Sequence, residues 1–179
     1  MEVPEKYVSV HKYLEKGQIF DCKPLIGHHD NIRNLLQYIH LDNPFYHIIR
    51  TPRGLKHHDL IHEFRSVFKD FDFQYISEPV FRKNGDFTSL LYHKPSAHTF
   101  IFIIDKLRCA KSIPLNNIQI CYDRFVDNPS YDSVAQGLLG RCTGYHSYTS
   151  HIRLFTFKAF ILSYSPFHLT CYNNIFKPS

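Results

Sequence analysis

The sequence predicts an α/β protein: three layers around an open, mainly parallel sheet. Three observations carry that expectation. Short aromatic and β-branched runs alternate with segments whose apolar residues recur at helical spacing. The connections between the runs are long enough for helical crossovers, which parallel strands require. The run from His98 to Ile104 (HTFIFII) is apolar at nearly every position, as expected of an inner strand covered on both faces.

The elements follow in order. Residues 1–20 are polar with scattered apolar positions and read as an entry segment or a surface helix. Asp30 is placed to cap a helix whose apolar face is Ile32, Leu35, Leu36 and Ile39. Asn43-Pro44 ends it. Phe45 to Arg50 reads as a buried strand, closed by the turn Thr51-Pro52-Arg53-Gly54. The next helix aligns Leu60, Ile61, Phe64, Val67 and Phe68. Phe71 to Ile76 alternates apolar with polar residues, so a strand is expected there, closed by Glu78-Pro79. Asn84-Gly85 marks a turn, and Asp86 to Tyr92 suits a helix. Beyond the HTFIFII strand, Asp105 to Ile113 forms a basic loop or short helix stopped by Pro114. Asn117 to Tyr122 is the next strand, followed by a helix bearing Val134, Ala135, Leu138 and Leu139. A last strand holds Ile152, Leu154, Phe155 and Phe157.

At 179 residues the chain suits one domain with a sizeable core. Its 44% hydrophobic and 21% charged residues are those of a folded protein rather than a disordered one. The 16% aromatic share, all Phe and Tyr, is high enough to place some rings at the surface or in an interface. A net charge of +5 tolerates nucleic acid but falls short of a polybasic tail, and an ordinary basic domain has the same balance. The five cysteines are odd in number and show no C-x-x-C spacing, so neither a disulfide framework nor a zinc knuckle is indicated. Reduced thiols and the absence of a signal peptide point to an intracellular site, cytoplasm or nucleus. The longest apolar run, Phe100 to Ile104, is too short to cross a membrane.

Ligands of open α/β sheets bind beyond the carboxyl ends of the strands, so the loops there are the candidate sites. Lys106, Arg108 and Lys111 follow the HTFIFII strand, where three cations suit phosphates of a nucleotide or of a nucleic-acid backbone. A solvated turn has the same composition. Arg50, Thr51 and Arg53 occupy the corresponding place after the first strand. The stretch from Ser130 to Tyr145 (SYDSVAQGLLGRCTGY) carries Gln136, then Gly140 beside Arg141. A small residue lets the backbone close up while the guanidinium, which never deprotonates, projects forward to a γ-phosphate. A helix closed by Gly140 or Gly144 reads equally well from these residues alone. His57-His58-Asp59 is superficially similar to the metal dyad of HD-type phosphohydrolases, but that family is all-helical. No metal site is expected. Neither a P-loop nor a G-x-S-x-G elbow occurs.

Taken together, the strand ending in IIRTP, the central strand running into its basic loop (TFIFIIDKLRCAKSI), the strand ICYDR and the stretch AQGLLGRCTGY resemble the second, C-terminal RecA-like domain of superfamily 2 helicases. The forms they are most similar to come from large DNA viruses and phages. The resemblance covers residues 45–157. It implies that residues 1–44 are an extension or inter-domain linker with one helix, and that 158–179 are a divergent tail. It implies that Arg141 and Gln136 act in ATP hydrolysis, with Gly140 and Arg141 against the nucleotide. Lys111 and Ser112, with Lys106 and Arg108 beside them, would couple ATP state to nucleic acid. Arg50, Thr51 and Arg53 would touch backbone phosphates. Two departures stand out: the Gln136–Gly140 spacing is one residue longer than usual, and Tyr145 stands where a second arginine is expected.

The expected function is therefore the second half of a nucleic-acid-dependent ATPase or helicase, inactive alone. ATP would be shared with a separate P-loop domain in cis or trans, and Mg2+ would enter only through that domain. Two other readings stay open on the sequence: a stand-alone nucleic-acid-binding module or decayed helicase fragment, and a small metal-dependent nuclease or phosphohydrolase using the histidines and Asp59.

Overall fold

A computed structural model describes residues 7–78, 88–104, 113–130, 137–145 and 147–163. In chain order the elements are β1 (Tyr7–Val8), α1 (Val10–Glu15), β2 (Ile19–Asp21), α2 (His29–Arg33), a 3-10 turn (Asn34–Tyr38), β3 (Tyr46–Arg50), α3 (Leu55–Val67) and β4 (Gln74–Ser77). Then come α4 (Thr88–Leu91), β5 (Thr99–Ile103), β6 (Ile118–Tyr122), α5 (Leu138–Arg141), β7 (Gly144–Tyr145) and β8 (Arg153–Thr156). Residues 158–163 are helical.

Six strands form one sheet in the order β2-β8-β6-β3-β5-β4, and every pairing in it is parallel. β1 and β7 make a separate antiparallel ribbon. All five residues of β5 and of β6 are buried, which is why those runs are continuous rather than alternating. One core lies on the face that includes Ile48, Ile101, Ile103 and Leu154, covered by Tyr13 of α1, Leu91 of α4 and Leu138, Leu139 and Cys142 around α5. The other holds Ile49, Phe100, Phe102 and Phe155, covered by Ile32, Leu35, Leu60, Phe64 and Phe68. The result is the expected three-layer α/β sheet.

Local sequence explains most of this. In α3, His57, Leu60 and Phe64 recur at three- and four-residue steps and are its buried residues. Phe64 meets Phe100 and Phe102 edge-on at 5.1 Å, and Phe68 stacks on Phe100 at 5.5 Å. Gly54 sits at φ 72° at the start of α3, a left-handed conformation that a side chain would strain. In β6 the register against β3 slips by one residue at Gln119, so Ile118 and Ile120 point to opposite cores although two residues apart. The inserted Gln119 is fully buried, and its carbonyl accepts the His40 N–H at 3.2 Å.

The structure corrects three local expectations. Residues 7–20 are not only a surface helix: Val8, Tyr13 and Ile19 are core residues, and β2 adds an edge strand against β8. His28, not Asp30, precedes the helix, and Asp30 lies in its first turn, where a carboxylate still favours the helix dipole. The single helix expected over Ile32–Ile39 is a five-residue helix followed by the 3-10 turn. The turn at Asn84-Gly85 lies outside the described residues.

Gln18 ties the N-terminal segment down. Its buried amide shares its N–H groups among the carbonyls of Thr149, Ser150 and Ile152 at 3.0, 3.1 and 2.9 Å, while its carbonyl accepts from the Tyr148 hydroxyl. Gln18→Ala is expected to cost about 2–3 kcal/mol, since buried carbonyls lose their donor. The urea midpoint checks this, and a loss under 0.5 kcal/mol, roughly the scale of a neutral surface change, would count against the anchoring role.

Candidate functional site

Because all six strands of the sheet run parallel, their carboxyl ends gather on one edge. Cys22 and Lys23, Arg50 to Arg53, Ser77 and Glu78, Ile104, and Asp123 to Phe125 follow the strands there. Two hydrogen-bonded networks organise this edge.

The first joins β3 to β6. Arg50 donates through Nη1 to Asp123 Oδ1 at 3.0 Å; the arginine side chain is 20% exposed and the aspartate 6%. The same oxygen accepts the Arg124 N–H at 2.9 Å, and the Leu138 N–H also stabilises the carboxylate. Asp123 thus connects the end of β3, the end of β6 and the start of α5. Burial pushes its pKa up, and Arg50 and the two amides only partly offset that.

The second network joins α3 to β3, β4 and β5. His57 is buried, with Nδ1 2.5 Å from Thr51 Oγ1 and Nε2 2.7 Å from Ser77 Oγ. Thr51 Oγ1 donates to the Ile103 carbonyl at 3.2 Å. With that proton committed, His57 Nδ1–H donates to Thr51 and Nε2 accepts from Ser77, which fixes the tautomer. Burial, then His58, lowers the His57 pKa, while Glu78 acts the other way. Glu78 is itself buried and accepts the Ile104 N–H at 2.5 Å, holding the chain where it leaves β5 for the basic loop.

The predicted site residues divide into three groups. Arg50 and Thr51 lie at the carboxyl edge and belong to the two networks; Arg53 is exposed in the turn before α3. Gly140 and Arg141 end α5, where Arg141 is 7% exposed instead of standing out in solvent, and its carbonyl accepts the Ile113 N–H at 3.4 Å. Lys106, Arg108, Lys111, Ser112 and Gln136 lie outside the described residues. His57, offered for metal chemistry, spends both ring nitrogens on Thr51 and Ser77. Among the described residues no group of three or more His, Cys, Asp or Glu is placed to hold a metal ion. Toward ATP, the described residues offer the Arg141 guanidinium and no glycine-rich cradle, so they do not fit a triphosphate by themselves.

Sequence reasoning missed Lys23, Asp123, Arg124 and Phe125. They line one cleft with Pro24, Leu25, Ile26, Arg50, Pro52, Leu60 and Tyr122, about 100 Å³ in volume and open to solvent. Tyr122 shapes it: its hydroxyl accepts the Lys23 N–H at 2.7 Å and donates to the Lys23 carbonyl at 2.8 Å. The signal that could have found them was the charged pair Asp123-Arg124 directly after an apolar strand.

No helix among the described residues is long and apolar enough to cross a membrane. No family model matches the chain, and no solved structure matches it. It is similar to an uncharacterized protein of Acanthamoeba polyphaga mimivirus, 32% identical over 136 residues. That alignment takes in 73% of this chain and 33% of the mimivirus protein, so the chain spans about a third of its relative's length.

Proposed function

We propose that this chain is the second RecA-like half of a nucleic-acid-dependent ATPase of the superfamily 2 helicase type, working with a P-loop domain in cis or trans. One observation carries the reading. Arg50 and Thr51, which the resemblance assigns to nucleic acid, sit at the carboxyl edge of a parallel sheet, and Asp123 connects that edge to the short helix bearing Arg141. A site for nucleic acid and a residue for nucleotide charge are thereby linked through one buried carboxylate. The chain binds single-stranded nucleic acid through phosphates, and Arg141 meets the triphosphate that the other domain brings with its Mg2+. The similarity to a mimivirus protein fits a viral setting.

The test uses the purified full chain, alone and with the P-loop protein encoded beside it or within its longer parent. Alone it is expected to bind single-stranded DNA with steep salt dependence and to show no ATPase. With the partner, DNA-stimulated hydrolysis appears, and Arg141→Ala lowers it by about 10³-fold while leaving DNA binding unchanged. Robust ATPase by the chain alone would overturn the proposal. DNA binding with no rescue by any P-loop partner would leave the stand-alone binding module in its place.

A further inference from the structure

The cleft at Lys23, Arg124 and Phe125 is a nucleotide seat, we infer, in which one base of a single strand stacks on Phe125 while its flanking phosphates lie against Lys23 and Arg124. This rests on the nucleic-acid reading above and adds two residues outside the matched stretches of that resemblance: Lys23 precedes them, and Phe125 follows ICYDR, whose last residue is Arg124.

Four features lead to this occupant. The first is charge. Lys23 and Arg124 are exposed on the rim, whereas Asp123, the one acidic residue among its described lining residues, is 6% exposed and already engaged by Arg50 and the Arg124 N–H. The cleft therefore presents unbalanced positive charge to a ligand, and phosphate is the anion a strand supplies at regular intervals. The second is the aromatic ring. Phe125 is 37% exposed, and Phe157 backs it at 5.9 Å, so it is a supported stacking platform. The third is the floor. Pro24, Leu25, Pro52 and Leu60 make it apolar, which suits the face of a base and gives no hydrogen-bond code to read. Binding there is thus indifferent to sequence. The fourth is preorganisation. The Tyr122 hydroxyl grips both the N–H and the carbonyl of Lys23, so Lys23 is held at the rim before any ligand arrives.

Fluorescence anisotropy on the full chain tests this with two labelled probes of equal length, oligo(dT) and an abasic oligonucleotide with the same phosphates. The wild type is expected to prefer oligo(dT) by about tenfold, since stacking on one aromatic is worth about that. Phe125→Ala should abolish the preference without changing the salt slope; Phe125→Tyr, which keeps a stacking ring, should restore it. Lys23→Ala and Arg124→Ala should each reduce the salt slope by about 0.7 and weaken both probes alike. If the wild type binds but these variants leave preference and slopes unchanged, the seat is refuted and the nucleic-acid reading stands. If the wild type binds neither probe, that reading falls and this inference falls with it.

Discussion

Asp123→Ala is expected to destabilise the protein by about 3 kcal/mol, the lower end for breaking a buried ion pair. Arg50 would keep its charge with only a fifth of its side chain in solvent, and the Arg124 and Leu138 amides would lose their acceptor. The partial exposure of Arg50 is what holds the cost to the lower end. Asp123→Asn keeps an acceptor oxygen but not the charge, so it should cost about half as much. Equilibrium urea unfolding at neutral pH measures both, and a loss below 1 kcal/mol in the alanine variant, roughly the scale of an exposed pair, would show that Asp123 does not tie β3, β6 and α5 together. The variant has a second signature. Burial raises the Asp123 pKa in the folded state, so between the unfolded value near 3.8 and that raised value the native protein binds the extra proton. Asp123 therefore adds stability as pH falls through that window, and the asparagine variant should lack this component.

The strands that were legible in the sequence are those that need no partner to be recognised. β3, β5 and β6 are short runs dominated by aromatic and β-branched residues without strict alternation, as burial on both faces favours. α3 was legible for the same reason at helical spacing. The N-terminal segment was not. Val8, Tyr13 and Ile19 fall in a stretch of mixed polar and apolar residues with no clear period, and Tyr13 and Ile19 meet partners far along the chain. The Tyr13 hydroxyl donates to the Cys142 carbonyl at 2.9 Å across 129 residues, and Gln18 reaches carbonyls more than 130 residues away. No local pattern encodes such a pairing.

The candidate site divides along the same line. Arg50 and Thr51 could be flagged because each follows a recognisable strand. Their partners could not, because Asp123 is 73 residues from Arg50 and meets it only through the adjacency of β3 and β6. His57 misled for a related reason. A His-His-Asp triplet at the surface and one with its first histidine inside the fold look alike in sequence. Only the approach of Thr51 and Ser77 shows which it is. Arg141 lies between these cases: its neighbours Leu138, Leu139 and Cys142 pull the short helix into the core, so the arginine is buried with them.

Acid is expected to weaken the fold. His47 is fully buried, with its Nε2 3.0 Å from His98 Nδ1 and the rings stacked at 5.2 Å. His98 Nδ1 also faces the Phe45 N–H at 3.4 Å, so it accepts and His47 Nε2–H donates. That leaves His47 Nδ1 as the atom a proton would have to join, and no partner for it exists among the described residues. Burial, then the neighbouring His98, holds the His47 pKa well below its ordinary value. Burial likewise lowers His57, His98 and His151. Above about pH 6.5 both folded and unfolded states carry these rings neutral, and they add no pH dependence. Below it the unfolded chain takes up protons that the native fold refuses, so stability falls with pH until the lowered values are reached. Each histidine contributes at most about 1.4 kcal/mol per pH unit. All four act in the same direction between pH 7.5 and 5.5, and His47, fully buried and displaced furthest, contributes most. The urea midpoint should therefore be lower at pH 5.5 than at pH 7.5. His47→Phe keeps a ring beside Phe100, which now lies 4.8 Å from the imidazole, but cannot be protonated. It should flatten the profile by roughly 1.4 kcal/mol per unit. Equal midpoints at pH 7.5 and 5.5 would mean that the native protein admits these protons, and that the stacked pair is not the acid-sensitive centre of the sheet.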